Sequence, residues 1–311
     1  MEEGDIFCLA GSEIESPSSL VDMICGLQQP TSGQIFVNGK NITYGRRPNV
    51  PHIGYCSSKA SGLMPMLTGA ETLLLFARLR GVASCNLKRL VEIYLNAFNL
   101  DTVATKCVDN YSGCESQRLS IASALIGEPS ICLLCNPMYK LDSESKEAVW
   151  GWLKKLKNMK KTIVIATDQL EEIGKHAAYI MILVDGNPVS VGTAKAIEGM
   201  CCKGYTLVAK LDPRSCLNTI SLFYSMLRET FPSCQLFHGN QDLLHFHIPY
   251  EDESLGDIFA TLEKIKKVVK VESYRVNKTN LDQVQIATQN AYFTHGLNPK
   301  MHGDGDSSFT N

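Results

Sequence analysis

No stretch of this chain is long and apolar enough to cross a membrane as a helix, and its acidic start, MEEGD, lacks the basic flank of a secretory leader. The expectation is a cytoplasmic chain without a membrane span of its own, at most peripheral to a membrane. An excess of one charge is missing too. Thirty basic residues stand against 32 acidic ones, so no field for nucleic acid is implied. The 12 cysteines show no disulfide framework, which fits a reducing compartment, with Cys201 and Cys202 read as thiols at a domain junction. Cys132 and Cys135 form a CxxC, but residues three apart on a strand point to opposite faces, so a shared zinc ion is not expected. His245 and His247 share a strand face without the further ligands a metal needs. The Asn41-Ile42-Thr43 sequon carries no meaning in a cytoplasmic chain.

At 311 residues the chain can hold two domains with proper cores. The stretch from Tyr111 to Asp142 organises the first. A polar turn, Tyr-Ser-Gly, precedes a periodic helix with Leu119, Ala122, Leu125 and Ile126 on its buried side. Gly127-Glu128-Pro129 ends it, because glycine accepts left-handed geometry and proline cannot continue the helix. Ile131 to Cys135 is then a continuous apolar run, as expected of a strand covered on both faces. The loop at its carboxyl end, Asn136-Pro137, lies where parallel sheets bind ligands.

The order of turn, helix, apolar strand, proline and Leu141-Asp142 resembles the signature helix, Walker B strand and D-loop of an ATP-binding cassette. The wording, Tyr-Ser-Gly and then Leu-Ser-x-Ala-x-Ala-Leu-Ile-Gly, is most similar to the A subfamily, whose members move lipids. The resemblance implies that Ser112, Gly113, Cys114 and Glu115 occupy the signature, with Cys114 at its second glycine. It likewise places Cys135 at the magnesium-side aspartate and Asn136 at the catalytic glutamate.

Ile6 to Ala10 reads as a buried strand and about Ser18 to Leu27 as a helix, the context in which a phosphate loop belongs. The loop positions are Gly11, Ser12, Glu13, Ile14, Glu15, Ser16, Pro17, Ser18 and Ser19. Pro17 stands where the pattern has lysine, removing a charge and an N–H. Ile14 and Ser16 replace glycines whose dihedrals shape the cradle. Glu13 and Glu15 bring negative charge to an anion site, a repulsion of about 4 kcal/mol at close range and an effective dielectric near 20. Read locally, Ser16 caps a helix whose first residue is Pro17, an ordinary helix start.

Gln34 to Val37 with the Asn38-Gly39 turn reads as a hairpin edge, and His52 to Cys56 as a strand. The family's bridging glutamine corresponds to Ser58. Thr68-Gly69-Ala70-Glu71 is a capping box for the helix Thr72–Arg80, and a second amphipathic helix spans about Asn86–Phe98. After Asp142, Val149, Trp152, Leu153 and Leu156 share a helix face. Thr162–Thr167 is a buried strand, and Asp168 at its end stands at the family's phosphate-contacting histidine. By local pattern Asp168 is equally an N-cap for Gln169–His176. Tyr179–Val184 and Pro188–Val191 read as a hairpin.

From Gly204 the pattern changes. Strand Tyr205–Ala209, helix Leu217–Phe231, strands Cys234–His238 and Leu243–Ile248, helix Ser254–Lys267 and strand Val268–Val276 give the βαββαβ order of a ferredoxin-like unit. Asn280-Leu281-Asp282-Gln283-Val284 is similar to the segment closing the regulatory domain of A-type transporters.

The expected fold is therefore α/β: a P-loop NTPase-like ABC cassette with a mainly parallel sheet over 1–203, then a small α+β ferredoxin-like regulatory domain over 204–285 and a disordered tail over 286–311. Met1 falls where the phosphate-loop strand is about to begin, so the resemblance implies an N-terminally truncated cassette without the preceding strands and the adenine-stacking aromatic. The leading functional expectation is a non-catalytic A-type nucleotide-binding domain paired with membrane domains or a second cassette. A working ATPase driving lipid transport and a soluble scaffold are the alternatives. ATP and magnesium enter by family resemblance only, and no resident metal is expected.

Overall fold

The computed structural model describes residues 4–11, 17–43, 52–58, 62–184, 186–201, 204–211, 217–239, 243–249, 255–269, 271–279 and 281. The expectations for loop residues 12–16 and for the tail lie outside them. The backbone forms two compact units, residues 1–186 and 187–311.

The first unit opens with β1 (Ile6–Ala10), buried throughout, and α1 (Ser18–Cys25). β2 (Phe36–Val37) and β3 (Lys40–Asn41) form the expected hairpin around Asn38-Gly39, both at positive φ as a tight two-residue turn requires. β4 (Ile53–Cys56) follows. The Thr68 capping box is present as read and starts α2 (Gly69–Leu79), which pairs with α3 (Leu87–Ala97).

α4 (Gly113–Leu125) is enclosed almost all round, with Gln117 and every residue from Leu119 to Leu125 buried. A helix so covered belongs to the interior. It lies against β4 at Gly54, where a side chain would collide with the Ala124 carbonyl and the Pro129 ring. β5 (Ile131–Cys135), α5 (Ser143–Asn158), β6 (Thr162–Thr167), α6 (Leu170–Gly174) and β7 (Tyr179–Val184) complete the alternation. Trp150 rather than Trp152 fills the buried face of α5. Trp152 lies half-exposed against the Tyr94 ring, 4.8 Å between centroids.

The next elements are β8 (Asn187–Gly192), α7 (Ala194–Cys201), β9 (Gly204–Leu211), α8 (Leu217–Thr230), β10 (Gln235–Gly239), β11 (Leu243–Pro249), α9 (Leu255–Val268) and β12 (Val271–Lys278). α7 is a helix that pattern reading missed. The last strand starts later than Val268, because Val268 closes α9 and the Val269 N–H still bonds the Ile265 carbonyl.

The larger sheet runs β4-β5-β6-β1-β7 within the first unit, all pairing in parallel. The smaller runs β10-β11-β9-β12, wholly antiparallel, which is the ferredoxin-like order for βαββαβ. Its core gathers Leu207, Phe223, Phe246, Ile258 and Leu262 between sheet and helices.

Candidate functional site

Parallel pairing brings the carboxyl ends of β1, β6 and β5 to one edge, with Ala10 opposite Thr167 and Cys135 opposite Ala166. That edge is where ligands reach an open parallel sheet. The structure thus brings together Gly11, Cys135, Asn136 and Asp168. The Gly11 N–H donates to the Thr167 carbonyl at 3.4 Å, and the Asn136 N–H to the Ala166 carbonyl at 2.7 Å.

Pro17 is buried at the head of α1 with helical dihedrals, and its carbonyl accepts the Val21 N–H. Ser18 is half-buried and Ser19 exposed beyond it. Pro17 stands at the N-cap position of α1 and supplies no side-chain cap, and the expected Ser16 cap lies outside the described residues. Ser58 follows β4 in a half-buried turn.

Cys135 closes β5 with 1% exposure, facing α1 within a cluster of Phe7, Leu9, Val21, Leu133, Val164 and Ala166. Burial, and then the neighbouring Cys56, Asp22 and Cys25, push its thiol well above the usual range, so it stays neutral. Cys132 is absent from that cluster, consistent with opposite faces for the CxxC pair. Asn136 adopts φ 44, a left-handed conformation that asparagine tolerates better than most residues. Its Oδ1 accepts the Asp168 N–H at 3.3 Å, and its carbonyl accepts both the Tyr139 N–H and buried Gln117 Nε2.

Asp168 is not the helix cap that local pattern suggests. α6 begins at Leu170 after an uncapped Gln169, whose N–H goes to Thr167 Oγ1 at 2.9 Å. Asp168 thus sits one position before the cap, and the Thr167 hydroxyl holds the turn that leads into α6.

Ser112 caps α4 through a reciprocal box. Its Oγ accepts the Glu115 N–H, and Glu115 Oε2 accepts the Ser112 N–H at 2.7 Å. These bonds hold the Glu115 carboxyl below its ordinary range. Beside them Cys114 Sγ lies 3.8 Å from Asp142 Oδ1 and from Ser145 Oγ, joining the starts of α4 and α5. Gly113 stands against the Lys140 stem.

Residue-type reading missed one pair. Tyr55 Oη donates to Asp22 Oδ1 at 2.7 Å, linking β4 to α1 above β5. The available signal was a single acid on a helix, SSLVDMIC, with no other charge.

The ABC transporter family model matches residues 1–139, and the ABCA1-like, C-terminal R1 regulatory domain matches residues 202–278. The chain belongs to the ABC transporter family, in its A subfamily. The mouse phospholipid-transporting ATPase ABCA3 is 30% identical over 305 residues, 98% of this chain and 18% of that protein. Human ATP-binding cassette sub-family A member 2 is 26% identical over 283 residues, 91% of this chain and 12% of that protein. The chain thus spans less than a fifth of the length of these relatives. Among solved structures, an ATP-binding subunit of an ABC transporter superposes with a TM-score of 0.59 at 23% identity, covering 64% of this chain and 82% of the other. A dimeric ATP-binding cassette in a post-hydrolysis state with ADP and Pi gives 0.56 at 23%, covering 62% and 87%. These likenesses establish the cassette fold of the first unit.

Proposed function

We propose that this chain is a non-hydrolysing A-type cassette with its regulatory domain, which serves a lipid transporter by pairing with a second, catalytic cassette. In this reading residues 1–203 are the cassette and 204–285 the regulatory domain. Ser112 and Gly113 are offered across the cassette pair, and the transporter's membrane domains keep the chain peripheral to the membrane. The observation carrying it is the state of the β5 end. Cys135 is a buried neutral thiol and the Asn136 side chain is engaged with the Asp168 backbone. Magnesium prefers hard oxygen ligands, so a buried thiol beside an engaged amide does not fit it. Pro17 supplies no charge for a phosphate, and Asp168 adds a negative one. Phosphoryl transfer is nearly all positioning and charge neutralisation, so it fails as a unit when several of these parts are missing.

The test is phosphate release by the purified chain with Mg-ATP, alone and as Pro17→Lys. Both are expected at background, since one repair cannot rebuild the unit. Metal-dependent release from the unmodified chain would overturn the reading. Thermal unfolding gives a second readout: ligand at about 100 times its dissociation constant adds about 2.7 kcal/mol, and no such gain is expected. One observation favours a hydrolysing subunit instead, the 30% identity to phospholipid-transporting ATPases across nearly the whole chain. The same assay separates the two.

A further inference from the structure

We propose that Asp22 and Tyr55 form a latch that holds α1 against β4 and β5 without nucleotide, and that the latch works only while residue 135 is uncharged. This deepens the non-hydrolysing reading and rests on it. Tyr55 pairs with Leu133 across the strands, so its ring lies on the face that Leu133 and Cys135 present to α1. From there its hydroxyl donates to Asp22 Oδ1 at 2.7 Å. The backbone of Asp22 is committed as well. Its carbonyl accepts the Leu27 N–H at 2.9 Å in the turn that ends α1 at left-handed Gly26. Burial first, and then the Asp22 carboxylate, hold the Tyr55 hydroxyl as a proton donor.

Cys135 packs in one cluster with Val21 and Cys25 of α1, the first next to Asp22 in the chain and the second about one turn beyond it, and with Tyr55 on the neighbouring strand. A carboxylate at 135 would set a second negative charge beside Asp22 in a half-buried site, where like charges repel strongly. Asp22 and an acidic residue 135 therefore exclude each other. The cysteine is the partner that lets α1 carry its acid, and the tyrosine hydroxyl satisfies that acid in place of a cation.

Thermal unfolding of the full chain at neutral pH, without nucleotide, tests this with Cys135→Asp, Cys135→Asn, Asp22→Asn with Cys135→Asp, and Tyr55→Phe. Cys135→Asn controls for polarity without charge. Cys135→Asp is expected to melt about 3–8 °C below Cys135→Asn, and adding Asp22→Asn is expected to bring it back to within about 2 °C. Tyr55→Phe alone is expected to lose about 3–6 °C. If Cys135→Asp does not fold, folding of the double variant supports the proposal. Failure of both while Cys135→Asn folds overturns it, as do equal Tm values for Cys135→Asp and Cys135→Asn or an unchanged Tyr55→Phe. Metal-dependent phosphate release from the wild type would instead remove the non-hydrolysing reading and leave this comparison of Tm values standing.

Discussion

Asn136 is a residue whose type suits its backbone as well as its bonds. At φ 44 a glutamate is strained, and its longer chain loses the 3.3 Å bond to the Asp168 N–H. Asn136→Glu is therefore expected to lower stability by about 1–3 kcal/mol in urea unfolding. Asn136→Asp keeps both the acceptor and a tolerant backbone, and should cost about 1 kcal/mol or less. His247 sets a pH limit in the same way. It is 8% exposed, its Nδ1 lies 3.2 Å from Thr279 Oγ1, and burial lowers its pKa from 6.5. The unfolded chain then binds the proton more readily than the folded one. Stability is at its full value above pH 6.5 and declines as pH falls from there to the folded pKa. Melting from pH 7.5 to 5 should show this decline, with a shallower one for His247→Gln.

Among the elements, α4 is pinned at its far end by side chains from two other helices and their flanks. Arg80 Nη1 donates to the Ala124 and Ile126 carbonyls, and Tyr94 Oη to the Leu125 carbonyl at 2.9 Å. The carbonyls of Ala124 and Ile126 thus find a donor in Arg80, and that of Leu125 takes the Tyr94 hydroxyl beside the Glu128 N–H. Arg80→Ala is expected to cost about 2–3 kcal/mol and Tyr94→Phe about 1 kcal/mol in denaturant unfolding, with the double variant departing from their sum. Most elements were legible because pattern and burial agree. The apolar runs of β1, β5 and β6 are the strands covered on both faces, and the Thr68 capping box starts α2. Misreadings came where local pattern admits two answers. Trp150 and Trp152 are two residues apart on one helix, Val268 and Val269 suit a strand as well as the end of α9, and α6 starts one residue later than an Asp168 cap would place it. At the site the ends of β1, β5 and β6 were legible from their apolar runs. The Asp22–Tyr55 link was not, because its two residues sit 33 apart and meet only through the strand order.

At the scale of the whole molecule, the regulatory unit has its own core, so it should fold without the cassette. A fragment of residues 204–284 is expected to unfold cooperatively, and limited proteolysis of the full chain should cut near residues 201–203 before cutting inside α8 or α9. Scattered early cleavage through 217–276 would count against an independent domain. The strand order of the larger sheet has a consequence for biosynthesis. β1 lies between β6 and β7, and its partners are residues 163–167 and 179–182. At about 5–20 residues per second, the apolar segment Ile6–Ala10 waits on the order of 10–30 s on the ribosome before either neighbour exists. Through that interval it is an exposed, uncharged, strand-forming segment, so the nascent chain calls for a holding chaperone long before the finished protein has any surface to hide.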